Sequence, residues 1–409
     1  MKVISVIGPK IVISNNSDEM LGNFIVGYFA VQALNLFIKT IIGGSLVWTV
    51  FSRGILAMLL LLALPTVLNR KLTIFVGAEV LLGITYLFSF LMGEANKSDL
   101  TSVAADALSV FLPMGICALC LEDRKKFFLK LYKVAFVGQF LLAFTMYYSV
   151  KSLDNNYSMS GGYALLLFLL IVLARWVEKH KWYDLAMSIV DLLAISFLGS
   201  RGAIICIAVF IVIITIVNPN IKLRRKAIYF LIIAVIGYLI VFHIQEIAEL
   251  LLRRIYGSGL TSRTLRLFMQ GEFLSHDSGR IVLNEFYFAQ IQTRPILGWG
   301  ILGGRTSMYP HNIAIELLLA FGVIIGSLLF MAIIIVLIRG VTQKNRMNQL
   351  IATVFVARIV SLFFSGSVFT CAEFFVCIAL CTAQSTVPNT DLYNSGDYVS
   401  LQQQSSKLN

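Results

Sequence analysis

Long apolar runs separated by short polar breaks dominate the chain, and each approaches the ~20 residues that cross hydrocarbon as a helix. Turns, charges and prolines divide them into about twelve predicted spans, at 21–38, 46–68, 72–92, 104–121, 131–149, 161–176, 183–199, 202–217, 227–243, 311–338, 348–365 and 368–386. One connection stands apart. Residues 244–310 form a loop far longer than the usual few residues, and such loops are functional or disordered. Its apolar content argues against disorder. Within it, Gly279 to Arg294 sets Val282, Phe286 and Ala289 with Leu283, Tyr287 and Gln290 at helical spacing and stops at Pro295. This predicts an amphipathic helix lying on the membrane, bracketed by Arg280 and Arg294. The predicted organisation is nine spans over 1–243, the loop over 244–310, three spans over 311–386 and a disordered polar tail over 387–409. No internal repeat is visible.

Composition fixes the solvent. Of 409 residues 58% are hydrophobic and 13% charged, about half the charged share of a soluble domain. Soluble, disordered and fibrous classes are thereby excluded. A net charge of +12 suggests nucleic acid in a soluble protein, but here its position decides otherwise. With the N-terminus inside, the inner connections hold Arg70 and Lys71, Arg124 to Lys133, Arg175 to Lys181, Lys222 to Lys226, and Arg339 to Arg346, whereas the short outer ones hold little beyond Lys39, Lys97 and Lys151. That asymmetry is the positive-inside pattern, so both termini are expected in the cytoplasm and no nucleic-acid partner is implied. Trp48 and Trp299 outside, with Trp176 and Trp182 at an inner loop, read as interfacial anchors. Met1 to Ile13 is too short to span and lacks a cleavage pattern, so the first span is expected to act as the insertion signal. All six cysteines lie in apolar runs, and the CxxC of Cys117 and Cys120 reads as packing.

The outer side is rich in arginine. The long loop carries Arg253, Arg254, Arg263, Arg266, Arg280, Arg294 and Arg305 and no lysine. A planar fork that binds oxyanions through paired hydrogen bonds suits diphosphate recognition, while snorkelling to lipid phosphates explains Arg253, Arg254, Arg263 and Arg266 at least as well. Arg201 sits at a tight turn between spans, where a charge must face a cavity or be paired. Arg53, Asp106, Arg358 and Glu373 fall in the outer halves of their spans, a shared depth that predicts one outward-open cavity. An ion pair of Arg358 with Glu373 is the structural alternative. Glu79 and Asp191 fall outside that cluster and are expected to hydrogen-bond between helices. His180 and His243 are bystanders and His276 lies in a flexible-looking stretch. His311 enters a long span behind Pro310, with Asn312 beside it, where an imidazole can take a proton from a sugar hydroxyl or simply sit at a helix end. Gly298, Gly300, Gly303 and Gly304 read as turn residues allowing close approach of the loop to the bilayer.

The succession GSRGA, then SGRIVLNEFYFAQIQTRPILGWG in a large outer loop, then PHN leading into IELLLAFGVIIG, resembles the O-antigen ligase and polymerase superfamily of bacterial membrane glycosyltransferases over nearly the whole chain. The resemblance implies an all-α, GT-C-like fold in the inner membrane, acting without metal or cofactor at the periplasmic face on glycans linked to undecaprenyl diphosphate. It implies that Arg201 and Arg280 hold the diphosphate and that His311 is the acid-base group. Arg53, Arg305, Asn312, Glu316 and Arg358 are expected to contact substrate. The acidic residue that many members carry before the glycine is replaced here by Ala320 and Phe321 ahead of Gly322, which leaves Glu316 as the nearest carboxylate. Divergence outside the short motifs favours a polymerase of O-antigen or capsule, with a chain-length regulator as a possible partner. A ligase to lipid A core is the alternative. A flippase would show two related halves and a midplane site, which the sequence does not.

Overall fold

The computed structural model describes residues 17–41, 43, 46–92, 95–152, 159–197, 200–218, 224, 226, 280–304 and 309–383. The predicted span at 227–243, the loop before Arg280, Arg305 and the tail lie outside the described residues. The chain is an all-α polytopic membrane protein: among the described residues no strand occurs, and seven helices are long and apolar enough to cross a bilayer. In chain order the described helices are α1 (Ser17–Ile41), α2 (Leu46–Met92), α3 (Lys97–Cys120), α4 (Arg124–Ser152), α5 (Met159–Lys179), α6 (Trp182–Phe197), α7 (Arg201–Val217), α8 (Arg280–Thr293), α9 (Ile313–Val341), α10 (Arg346–Ile359) and α11 (Ala372–Thr382). A π-helical turn at Ala107–Phe111 interrupts α3.

The core is apolar throughout, with α5 at its centre: Leu165 to Ala174 are all buried, as expected of a helix hydrophobic on every side. α2 and the latter part of α9 instead leave Val50, Leu61, Leu81, Ile324 and Leu328 exposed, which lipid rather than water must cover. Helices in lipid gain little from hiding apolar surface and associate by close packing over small residues. Accordingly Gly138 abuts the Phe168 ring and Gly115 the Phe375 backbone.

Two helices each contain a break in helical geometry. At 47 residues, a straight α2 would be ~70 Å long, more than twice the ~30 Å of hydrocarbon. Lys71 leaves helical geometry, with φ −147° and ψ 37°, and the chain reverses there. Arg70 donates to the Cys120 carbonyl (2.7 Å) at one end of α3, while Arg53 and Asp106 pair near its other end. The runs 46–68 and 72–92 are thus two crossings with no loop between. α9 breaks at Gly322, with φ 76° and ψ 174°, leaving a short helix 313–321 and a crossing over 323–341. The freed backbone groups are taken up by the preceding loop: Trp299 N donates to Leu319 O (2.8 Å), Gly300 N to Ala320 O (3.0 Å), and Val323 N to Pro295 O (2.7 Å). A side chain at Gly322 would collide with the Ile296 carbonyl. Gly298 and Gly300, both at positive φ, therefore serve close approach to helices, Gly298 to the broken α9 and Gly300 to Ser89 of α2.

At the opposite end from Arg280 and His311, two arginines tie the bundle. Arg70 joins Asp18 and Ser17, while the other carboxylate oxygen of Asp18 accepts from the amides of Glu122 (3.1 Å) and Asp123 (2.6 Å). Arg124, only 3% exposed, donates to the carbonyls of Leu380 (3.2 Å) and Ala383 (2.8 Å) at the end of α11. Glu79 and Asp191 do not join helices as expected: Glu79 Oε1 and both oxygens of Asp191 are buried without a hydrogen-bond partner among the described residues.

Candidate functional site

α5 and α7 approach closely because they meet over glycines. A side chain at Gly162 would strike Ser200, and one at Gly202 would strike the Tyr163 hydroxyl. This contact sets Arg201, the half-buried first residue of α7, beside Tyr163. The Arg358 guanidinium lies over the same Tyr163 ring, 5.7 Å from its centroid.

Arg358 is held on two further sides. Its Nη2 pairs with Glu373 Oε1 at 3.0 Å, with side chains only 12% and 18% exposed. Its Nη1 donates to Ser361 Oγ (2.6 Å). The ion pair anticipated as the structural alternative is therefore formed. It borders a cavity of about 580 Å³ whose lining includes Tyr28, Tyr163, Tyr309, Ser365 and Thr370. Such a volume lies within the ~300–1,000 Å³ usual for ligand sites.

The loop between α10 and α11 closes that cavity, and the start of α9 holds the loop. Glu316 is 3% exposed and accepts from the Ser367 hydroxyl and from Val368 N (2.8 Å). Gly366, at φ 91°, donates its amide to the Tyr309 hydroxyl (3.2 Å). Glu316 is thus engaged with protein groups, and its placement is that of a brace. Asn312 is the N-cap of α9, its Oδ1 accepting from the amides of Ala314 (2.9 Å) and Ile315 (3.4 Å).

His311 leans on Tyr309 with ring centroids 4.1 Å apart. Its backbone takes φ 53°, the left-handed region that a non-glycine residue adopts at a cost of roughly 1–2 kcal/mol. Residues held in this way collect at functional sites. Its Nδ1 is buried without a hydrogen-bond partner among the described residues. Burial, and secondarily the Arg280 guanidinium, hold the imidazole below its usual pKa of 6.5. It is consequently neutral, and able to accept a proton, at neutral pH. Arg280 begins α8, and Tyr287 and Ile291 of α8 pack on Ile315 and Leu319 of the short helix. The far end of α8 is pinned where Arg294 lies over the Trp299 ring (4.0 Å) and Trp299 Nε1 donates to Gln290 O (2.9 Å).

Of the residues singled out in the sequence, the structure brings His311 within electrostatic reach of Arg280 and, through Tyr309, beside the Arg358 cavity. Arg201 precedes Gly202, which abuts the Tyr163 hydroxyl. Arg53 pairs with Asp106 (3.4 Å) in a second, adjoining cavity that shares Tyr28 and Gln32 with the first. The single predicted cavity is thus two. Arg305 lies outside the described residues. Sequence reasoning missed Tyr163, Tyr309 and the Ser365 to Ser367 turn; the signal for the last was a polar SGS interrupting the apolar run FFSGSVF.

Residues 186–331 match the family model described as O-antigen ligase. That stretch contains Arg201, Arg280, His311 and Glu316 and excludes Arg53, Arg358 and Glu373. No curated protein and no solved structure matches the chain.

Proposed function

We propose that this protein is a polysaccharide polymerase of the O-antigen ligase and polymerase superfamily, a reading supported by the match of residues 186–331 to the family model. It transfers a growing glycan from undecaprenyl diphosphate onto a hydroxyl of a new lipid-linked repeat unit at the periplasmic face of the inner membrane. The carrying observation is the neutral, partly buried His311 beside Arg280, within the stretch that the family match covers.

The proposed chemistry follows from those groups. His311 takes the proton of the acceptor hydroxyl as its oxygen bonds to the anomeric carbon, with inversion. The bond from that carbon to the diphosphate breaks and its electron pair stays on the diphosphate oxygen. Arg201 and Arg280 stabilise that charge, as fixed forks aimed where charge develops. Arg358 supports the site through Tyr163 and its pair with Glu373. The ligase reading, in which the acceptor is lipid A core, fits the same groups. The polymerase is preferred because the family match is confined to residues 186–331 and no curated protein matches the chain.

The test is the surface-glycan ladder of a strain lacking the gene, complemented with wild type or His311→Ala, alongside the lipid-linked pool. Single repeat units at the surface, with the ladder restored only by wild type, are expected. Absence of any capping, with long glycan accumulating on its carrier, would identify a ligase. Single units trapped on the cytoplasmic leaflet would identify a flippase.

A further inference from the structure

The second cavity, about 290 Å³ in volume, lies between the outer part of α1, the start of α2 and the π-helical turn of α3. Its lining pairs aromatic faces with hydrogen-bonding groups of both polarities: Trp48 and Tyr28, the amides of Gln32 and Asn35, the Arg53–Asp106 pair and Lys39. We propose that this cavity is a saccharide subsite, binding a neutral sugar of the glycan at a distance from the bond that forms. The inference rests on the glycan-transferring reading above for the identity of its ligand.

The aromatic and amide lining suits a sugar ring. Arg53 has a carboxylate partner at 3.4 Å, with side chains 67% and 38% exposed, and Lys39 adds a further donor. A hydroxylated ring suits such a pair, because vicinal hydroxyls can donate to the carboxylate and accept from the guanidinium at once. The Trp48 indole supplies a face for the apolar side of the ring. Trp48 is fixed for this purpose: its Nε1 donates to Asn35 Oδ1 (2.6 Å) and its ring packs on Phe51, 5.7 Å between centroids. An arginine and an aspartate this exposed add little stability as an ion pair. Their placement at the mouth of a polar cavity is accounted for by a ligand.

Position supports the assignment. Tyr28 and Gln32 line both cavities, so the second continues the first away from Tyr309 and His311. A chain of sugars whose reacting end lies at His311 would run past Tyr28 to reach Arg53 and Asp106. Grip at a remote sugar adds affinity for the glycan and sets how many units the site senses, without touching the reacting atoms.

The test uses purified full-length protein and, as probe, the oligosaccharide released by mild acid from the carrier-linked pool of a strain lacking the gene. Saturable binding is expected by calorimetry, weakened roughly ten- to a hundredfold in Arg53→Gln with Asp106→Asn and in Trp48→Ala. Wild-type affinity in both the double variant and Trp48→Ala would overturn the proposal. Failure of the polymerase reading is separately visible, as an intact ladder in cells carrying His311→Ala.

Discussion

Tyr309 carries His311 against its ring, 4.1 Å between centroids, while its hydroxyl accepts a hydrogen bond from the Gly366 amide. One side chain therefore couples the imidazole to the loop that closes the larger cavity. Tyr309→Phe should leave the stacking intact and free the loop, so a rise in KM for lipid-linked substrate with little change in kcat is expected. An equal fall in kcat would show that the hydroxyl acts in the chemical step instead.

The depressed pKa of His311 sets a pH dependence. Its neutral form persists below the ordinary value of 6.5, so the acid limb of kcat/KM should fall below pH 6.5. Arg280→Gln removes the lesser of the two causes, and the limb should move upward part of the way, burial remaining. For stability the sign is the same. The unfolded chain binds the proton first, so the contribution of this site is present above about pH 6.5 and lost as pH falls through the folded pKa. A limb that does not move in Arg280→Gln would remove the electrostatic link.

The left-handed backbone at His311 distinguishes two otherwise equivalent knockouts. Asn tolerates φ 53° better than Ala. His311→Asn should therefore remove activity at near-normal abundance, whereas His311→Ala should also lose up to ~1 kcal/mol of stability. Quantifying both proteins in membranes checks this.

At Arg201 the test is geometry rather than charge. Arg201→Lys keeps the cation and loses the fork, so a fall of roughly ten- to a hundredfold in transfer is expected. Near-normal activity would sink the diphosphate role.

Arg358 and Glu373 form a pair with side chains 12% and 18% exposed. Removing either alone should destabilise by ~3–5 kcal/mol, because its partner stays behind uncompensated. Arg358→Met with Glu373→Leu should recover most of that loss, and a double-mutant cycle on unfolding in detergent measures the coupling. Additive losses would show that the two charges act independently.

The membrane class and most crossings were legible because twenty apolar residues in lipid leave the backbone few choices but helix. Breaks were not. The run ELLLAFGVIIG is continuously apolar across Gly322, and only the docking of Pro295 to Gly300 onto it makes a break favourable. Lys71 was readable as a charge between spans, but not as a reversal without a loop. In the site, isolated charges at matching depth pointed to Arg358, Glu373, Arg53 and Asp106, since lipid penalises each of them. That Arg53 pairs with Asp106, and that Glu316 spends its carboxylate on Ser367 and Val368, depends on contacts between residues far apart in sequence. Tyr163 and Tyr309 carry no such penalty at an interface and left no signal.

The buried Arg124 has a consequence for biosynthesis. It enters the bilayer with the first third of the chain, yet the carbonyls it needs belong to Leu380 and Ala383. Until α11 is made, a guanidinium waits at the membrane boundary without its acceptors, and the bundle cannot lock. A chain truncated before Leu380 would leave that charge without these two acceptors, so α11 makes the burial of Arg124 conditional on its own arrival.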